Sequence, residues 1–364
     1  MAVIDEVVLH DLHMPLAEPY PSAIATIVAL ETLLVEVRTR DGCYGFGEAA
    51  IVEGYTHETR EGGWNFCREH AARILGRDTA DAKRELLAHR DEHSHAVASL
   101  VSAMEMAEGH PLLAPPGSEV RVPLLAPVNA KKAPAIALEI ERLLAAGFRT
   151  LKVKVGFDVP SDLERVAAIQ RVVGDRAKLR LDGNQGYSQA QALQFTSGLS
   201  AVGIELFEQP CSDRDWDAAA AVAKVAPVPM MLDESIYASS DIDRAAVLKA
   251  AAFIKLKLVK AGGIDALVSD LERVTAHGMR RVLGNGVAGE TGCWMEACVA
   301  HKYIDNAGEL NGYLKPVERL FENPLGFADG CVVMPAGYAP CIDRQALARF
   351  AIRSERYSKT RGMQ

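Results

Sequence analysis

Several features that mark other classes of protein are missing from this sequence. The 364 residues contain no run of 18 apolar residues and no low-complexity tract, so we predict no membrane-spanning helix. The first 25 residues carry Asp5, Glu6, Asp11 and Glu18 instead of a basic segment followed by an apolar one, which argues against a secretion signal. We therefore expect a globular protein in the cytoplasm.

Blocks of positive charge and paired cysteines are missing as well. The net charge is −8, and lysine and arginine form no concentrated block, so neither nucleic acid nor a membrane surface is expected as a partner. The seven cysteines are scattered and include no Cys-x-x-Cys pair, which indicates reduced thiols. The partner that we expect is a small molecule.

The chain is long enough for two domains, and its pattern changes near residue 115. Strand-like runs at residues 3–9 and 29–37 precede a helical stretch over about 64–106, and a Pro/Gly cluster follows at 111–117. We interpret this cluster as a linker between domains. The predicted units are an N-terminal α+β capping domain (1–115), a catalytic domain (118–330) and a C-terminal segment that returns to the capping domain (331–364).

Beyond the linker, short apolar runs alternate with amphipathic helices. We predict eight strands, at residues 122–126, 150–155, 179–181, 204–207, 230–232, 253–256, 281–283 and 308–310. Seven successive units each end in a polar residue, about 24 to 28 residues apart: Lys154, Asp182, Glu208, Asp233, Lys257, Asn285 and Glu309. A doubly wound sheet would gather such residues at one switch point. The series therefore predicts an α/β fold, a (β/α)7β TIM-type barrel, with these residues around one pocket.

Three of these polar residues are acids on consecutive predicted strands. Asp182, Glu208 and Asp233 would present three carboxylates side by side. Oxygen ligands in an open site suit Mg²⁺, which keeps positions for water and substrate. A single acid at a strand end often only caps the next helix, but three in register favour a metal site. We expect Mg²⁺, with Mn²⁺ as a possible substitute.

Lysines from two separate parts of the chain complete the predicted pocket. Lys152 and Lys154 are two residues apart on one strand, so both face the same side, and their like charges would lower the pKa of Lys154 toward neutrality. Lys257 lies four strands away, on the opposite wall of an eight-stranded ring. Lys255 and Lys260 compete for its role. We expect Lys257 to face Lys154 across the substrate.

A divalent ion and opposed lysines fit one type of chemistry. Removing a proton next to a carboxylate creates an enediolate, whose charge must be stabilised where it develops. One lysine would take the α-proton, and the other would return a proton from the far side or assist a leaving group. The sequence thus predicts magnesium-dependent abstraction of the proton α to a carboxylate, giving racemisation or epimerisation, with β-elimination as a variant.

These motifs resemble the muconate-lactonizing subgroup of the enolase superfamily over nearly the whole chain. The resemblance rests on Lys152-x-Lys154, Asp182-x-Asn184, Glu208-Gln-Pro, Asp233-Glu234, and Lys257 before Gly262-Gly263. It implies Lys154 and Lys257 as acid/base catalysts, with Lys152 as a positioning cation. It also implies Asp182, Glu208 and Asp233 as metal ligands, supported by Asn184 and Glu234.

The resemblance also suggests how the substrate is chosen. Two loops of the capping domain, about residues 13–27 and 49–64, would close the pocket. We expect Tyr20 and Tyr55, together with Asn285 and Glu309, to bind the substrate, although Glu309 could instead be an ordinary rim acid. Members of this subgroup are often homo-oligomers, from dimers to octamers.

The substrate class stays open among several alternatives. Dipeptide epimerases typically carry Asp-x-Asp after the last strand, whereas this chain has Gly308-Glu-Leu-Asn-Gly312. A lone Glu309 would suit one amine, as in a small amino or imino acid of the hydroxyproline type. The other interpretations are a cycloisomerase of the muconate-lactonizing type, an N-acylamino acid racemase or dipeptide epimerase, and a barrel without catalysis that serves as a binding module.

Overall fold

The structure, a computed structural model, describes residues 2–21, 26–55 and 57–359. In chain order the strands are β1 (Ile4–Pro21), β2 (Thr26–Thr39), β3 (Tyr44–Ala50), β4 (Val120–Pro123), β5 (Ala126–Val128), β6 (Thr150–Lys154), β7 (Lys178–Asp182), β8 (Ile204–Glu208), β9 (Met230–Leu232), β10 (Phe253–Leu256), β11 (Arg280–Leu283), β12 (Gly326–Ala328), β13 (Cys331–Met334) and β14 (Ala351–Ser358). The helices are α1 (Arg60–Ile74), α2 (Thr79–Leu87), α3 (Arg90–Ala107), α4 (Ala133–Ala145), α5 (Val159–Val173), α6 (Gln189–Gly198), α7 (Trp216–Val225), α8 (Ser239–Leu248), α9 (Leu258–Ala261), α10 (Ile264–Ala276), α11 (Glu290–Tyr303) and α12 (Arg344–Phe350). Among the described residues, no helix is long and apolar enough to cross a bilayer.

The N-terminal part is an antiparallel sheet of order β14-β1-β2-β3 that packs against α1 to α3. The expected loop over residues 13–27 is wrong in its described part, because β1 and β2 form a hairpin that extends to the pair Tyr20↔Ile27. Buried Leu12, Met14 and Leu16 alternate with exposed neighbours there, and this period of two is typical of a strand. Residues 22–25 of that expected loop lie outside the described residues, as does residue 56 of the second.

Two glycines of β3 allow this sheet to approach α3 closely. A Cβ atom on Gly45 would lie 2.2 Å from the backbone oxygen of Ala103, and one on Gly47 would lie 2.4 Å from that of Ser99. Backbone atoms cannot move aside as a flexible side chain does. The capping sheet and its helix therefore pack at a distance that only glycine permits.

The second part is a parallel, curled sheet of order β11-β10-β9-β8-β7-β6-β5. Helices α4 to α8 and α10 connect its strands, which confirms the predicted alternation of strand and helix. On β6, buried Leu151 and Val153 alternate with Lys152 and Lys154. Because successive side chains point to opposite faces, the apolar face packs in the core while the lysines face the other way.

The two ends of the predicted strand series differ from expectation. The first predicted strand (122–126) is divided between β4, which pairs with β13 in a separate small sheet, and β5. The last one (308–310) is not a regular strand, since Gly308 forms a single parallel bridge with Leu124. The Glu309 amide donates to the Leu283 carbonyl at 3.1 Å, and the Leu125 amide donates to the Gly308 carbonyl at 3.0 Å.

A buried acid connects the two parts of the chain. Glu48 on β3 accepts a hydrogen bond from the amide of Thr291, at the start of α11, at 3.2 Å. The side chain is 2% exposed in total, and burial raises the pKa of Glu48 to about 7. Glu48 therefore joins the N-terminal sheet to α11. β14 also pairs with β1, whereas the exact domain boundaries stay a prediction.

Replacing Gly45 by alanine tests the close packing of β3 on α3. We expect Gly45→Ala to lower the free energy of unfolding by about 1–3 kcal/mol, because the added methyl overlaps backbone atoms. Gly117→Ala is the matched control, since no atom lies within 4 Å of its added Cβ. Thermal and urea denaturation would check this, and equal melting temperatures of the two variants would contradict it.

Glu48→Gln tests the buried acid through its pH dependence. Between about pH 4.5 and 7 the folded protein keeps a proton on Glu48 that the unfolded chain has lost, so this group's contribution to stability falls as the pH rises. The glutamine variant lacks this titration. Its stability relative to the original protein should rise across that window by on the order of 1–3 kcal/mol. Urea denaturation at several pH values measures the difference, and a pH-independent difference would refute the assignment.

Candidate active site

A cavity of about 250 Å³ lies at the carboxyl ends of the parallel strands, beneath the capping domain. Most of the predicted site residues line it: Tyr20, Tyr55, Lys152, Lys154, Asn184, Asp233, Glu234, Lys257, Asn285 and Glu309. Asp182 and Glu208 do not line the cavity, and both are almost completely buried. The structure therefore brings the predicted residues into one region, with two of the acids placed behind the wall.

The two predicted catalytic lysines reach this cavity from different sides. Lys154 ends β6, and Lys257 follows β10, four strands further along the sheet. Lys154 Nζ donates to Asp182 Oδ2 at 2.6 Å and to the amide oxygen of Asn184. Lys257 Nζ donates to both carboxylate oxygens of Asp233 at 2.7 Å and to the Tyr55 hydroxyl. Each lysine is thus held by an acid from the neighbouring strand.

Asp182 contacts both Lys152 and Lys154. The predicted repulsion between the two lysines did not take this acid into account. Asp182 Oδ2 lies 2.8 Å from Lys152 Nζ and 2.6 Å from Lys154 Nζ. Burial opposes the charge on Lys152, but Asp182, Glu208 and Glu309 raise the pKa of Lys152 well above its ordinary value. These acids therefore favour the ammonium form of Lys152. The lowered pKa expected for Lys154 stays a prediction.

The three predicted metal ligands are buried and adjacent. Asp182 and Glu208 are direct partners across β7 and β8, and Asp233 follows β9. Despite burial, lysine contacts hold the pKa of Asp182 at about 2, whereas burial and the charge of Asp182 raise the pKa of Glu208. Glu208 Oε2 accepts no hydrogen bond, although Lys152 Nζ is 3.2 Å away. These are oxygen donors of the kind that Mg²⁺ prefers.

The three predicted metal ligands are not arranged to hold an ion in the described part of the chain. Within residues 2–21, 26–55 and 57–359, no three acidic, histidine or cysteine groups are arranged to hold an ion. The reason is that lysine ammonium groups lie among the carboxylates: Lys152 and Lys255 both contact Glu208, and Lys257 and Lys260 both contact Asp233. The donor chemistry fits a divalent cation, and metal binding would require these ammonium groups to share the acids with it.

The loops that carry the acids are fixed by side-chain amides. Gln209 accepts from the amides of Asp233 and Ser235 at 3.1 and 3.2 Å. Asn184 donates to Glu234 Oε1 at 2.8 Å, and burial together with Asp233 raises the pKa of Glu234 to about 7. Asn184 and Gln209 have φ values of 38° and 34°. Such strained backbone persists where surrounding contacts enforce it, and here it positions the site.

Glu309 lines the cavity and is engaged by two lysines. Its Oε2 accepts from Lys152 Nζ at 3.0 Å and from Lys255 Nζ at 2.5 Å. Nearby, Asn285 accepts from the amide of Val287 at 3.1 Å. The ring of Tyr20 lies against Lys315, whose Nζ is 4.5 Å from the ring centroid, and burial raises the pKa of Tyr20 to about 12.

Some residues of the cavity wall were not among the predicted site residues. Lys255 has the same strand parity as Lys257, and this parity was the available signal. His95 lies on α3 of the capping part, where its Nδ1 contacts Glu58 at 3.0 Å. Tyr237 comes from the segment after β9. Nothing in the sequence pattern distinguishes a cavity-lining residue of α3 from an ordinary core residue.

Comparisons with known proteins agree with this arrangement. The family model described as "Enolase C-terminal domain-like" matches residues 135–340. Muconate cycloisomerase 1 of Pseudomonas putida is 30% identical, covering 96% of this chain and 98% of its own length. An aromatic dipeptide epimerase of Herpetosiphon aurantiacus is also 30% identical, covering 87% of this chain and 89% of its own length.

A solved structure extends this similarity to the fold. Muconate lactonizing enzyme from Pseudomonas fluorescens, solved with muconolactone, superposes with a TM-score of 0.86 at 26% identity, covering 96% of this chain and 99% of the other. The predicted resemblance is therefore confirmed. The chain is an enzyme that belongs to the enolase superfamily, in the family that contains the muconate cycloisomerases and dipeptide epimerases.

Proposed function

We propose that this enzyme removes the proton α to a carboxylate with the assistance of Mg²⁺ and returns a proton to the opposite face, so that it racemises or epimerises its substrate. The observation that carries the proposal is that Lys154 and Lys257 reach one cavity from strands four apart in the sheet. A planar intermediate between two amines can be reprotonated from either side. Relatives that are named as epimerases support this reading.

The buried acids supply the proposed metal site. Asp182, Glu208 and Asp233 would hold Mg²⁺, which when bound stabilises the negative charge that develops on the substrate carboxylate. Lys152, fixed as a cation, would add a second positive charge at the same place. The metal would compete with Lys152 and Lys255 for Glu208 oxygens, one of which accepts no hydrogen bond.

The two lysines have different surroundings, which suits two faces of one substrate. Lys154 Nζ lies between Asp182 and Asn184, whereas Lys257 Nζ lies between Asp233 and the Tyr55 hydroxyl. The lysine that lacks a proton takes the α-proton at Nζ, and the other donates from its ammonium group. Tyr55, with its ring 4.7 Å from Lys257 Nζ, would exclude water from that side.

We also infer that the curled sheet closes into a ring. The segment at Gly308 and Glu309 has backbone hydrogen bonds to both edges of the sheet. Its partners are Leu283, the last residue of edge strand β11, and Leu125, which directly precedes edge strand β5. Such a closure would give the (β/α)7β barrel and would place Lys154 and Lys257 on opposite walls. The observed contact between Glu309 Oε2 and Lys152 Nζ, at 3.0 Å, agrees with such a closure.

A cycloisomerase is the second candidate. Muconate cycloisomerases cover nearly the full chain, and this reaction requires a proton on only one face and no ammonium partner. The hydrogen bonds that Lys152 and Lys255 donate to Glu309 are compatible with this reaction. The relatives give no support to a hydroxyproline-type substrate. Turnover of a nitrogen-free diacid such as cis,cis-muconate that survives Glu309→Gln would favour this candidate.

Exchange in D₂O tests the proposed roles of the two lysines. A panel of amino acids, N-acyl amino acids and dipeptides should contain a substrate that incorporates α-deuterium, as measured by proton NMR. Lys154→Met and Lys257→Met should each lose exchange from one enantiomer by about 10²- to 10⁴-fold. Lys178→Met, at the exposed start of β7, is the control. Absence of exchange from every member, or unchanged exchange in both variants, would contradict the proposal.

Titration calorimetry tests the metal site separately. Asp182→Asn and Glu208→Gln should each weaken Mg²⁺ binding at least about tenfold, because each removes a charged oxygen donor. Removing the metal with a chelator should abolish exchange, and Mn²⁺ should restore it. Asp175→Asn, at an exposed position, should bind Mg²⁺ normally. A protein that binds no Mg²⁺ would instead favour a binding module without catalysis.

A further inference from the structure

Lys255 is a buried lysine of the cavity for which the proposed mechanism has no use. It lies on β10, and its side chain is 3% exposed. Its Nζ is 2.5 Å from Glu309 Oε2, 3.0 Å from Glu208 Oε1 and 3.3 Å from Asp233 Oδ2. Its shortest contact is therefore with the one acid of this group that is not a predicted metal ligand.

Glu309 is consequently an acid whose charge is already paired. Lys152 and Lys255 both donate to the same oxygen of Glu309. Burial opposes ionisation, but these lysines hold the pKa of Glu309 well below its usual range. Glu309 is thus a carboxylate with two ammonium partners from its own chain, and not a free negative charge that faces the cavity.

The charges around the cavity leave little place for another cation. Five lysines contact four acids in the cavity wall or directly behind it: Lys152, Lys154, Lys255, Lys257 and Lys260 against Asp182, Glu208, Asp233 and Glu309. Two further acids, Asp213 and Glu234, also line the cavity. A bound divalent ion would add further positive charge. An anionic substrate is favoured in such a cavity, and a cationic group is not.

We infer that Lys255 is a specificity-determining residue that occupies Glu309 and thereby restricts the cavity to carboxylic acids that carry no free ammonium group. This inference rests on the proposed function only for the location of the substrate. An ammonium group brought to Glu309 would lie beside the ammonium groups of Lys152 and Lys255, and like charges so close repel strongly. An acylated nitrogen or a second carboxylate brings no such repulsion.

Matched ligand pairs test this selectivity without any turnover. Binding of N-acetylated and free L-alanine, L-glutamate and L-phenylalanine to the magnesium-loaded enzyme is measured by calorimetry. Within each pair the two ligands differ at the nitrogen. We expect the acetylated member to bind about tenfold more tightly or better, a difference of the size that one close charge contact produces.

Two variants then assign the preference to the contact between Lys255 and Glu309. Lys255→Met removes the charge and keeps a similar length, so Glu309 loses one of its two ammonium partners, and the preference should shift toward the free amines by about tenfold or more. The double variant Lys255→Met/Glu309→Gln leaves no carboxylate to release. Its preference should return toward that of the original protein.

The possible outcomes separate this inference from the proposed function. Tighter binding of the free amines by the original protein would overturn the inference, and so would an unchanged preference in Lys255→Met. The measurement on the original protein decides the first point even if a variant fails to fold. Because binding is measured and not exchange, the role of Lys255 stands or fails independently of the deuterium experiment.

Discussion

Mutual neutralisation of buried lysines and buried acids is the interaction on which this site depends. Asp182, Glu208 and Asp233 are at most 3% exposed, and an ionised carboxylate that deep costs several kcal/mol unless an opposite charge accompanies it. Lysines from β6 and β10 provide that charge. Each buried charge is therefore stabilised by its oppositely charged partners, and removal of one side chain leaves those partners buried and unpaired. The proposed catalytic groups are in this sense also structural groups.

The parallel sheet makes this arrangement possible at low cost. Alternation along β6 sends Leu151 and Val153 to the helices and Lys152 and Lys154 to the other side, so one strand serves the core and the site together. The loops after the strands then hold the acids through amides such as Gln209, in backbone conformations that only dense hydrogen bonding maintains. The sheet and its helices supply the apolar packing, and the strand ends together with the loops that follow them carry the charged groups of the site.

The sequence predicted these repeating features well, because periodicity and spacing are local properties. Strands β6 to β11 fall within a few residues of their expected positions, and most of the predicted site residues share one cavity. The errors concern non-local features. The Gly308 segment has no pattern of its own and depends on hydrogen bonds to distant edges. His95 on α3 and Lys255 at a deeper level of β10 line the cavity because of how the parts pack, which spacing does not encode.

The pairing of β14 with β1 has a consequence for synthesis of the chain. The capping sheet needs Ala351–Ser358 as the partner of β1, so this edge of β1 stays open while several hundred residues are still being made. An unpaired strand edge invites association with other chains. On β1, Asp11 and His10 gain Arg353 and Ser354 as partners only when β14 arrives, in addition to Arg60 and Glu36. β14 thus covers an edge of β1, a strand that is synthesised several hundred residues earlier.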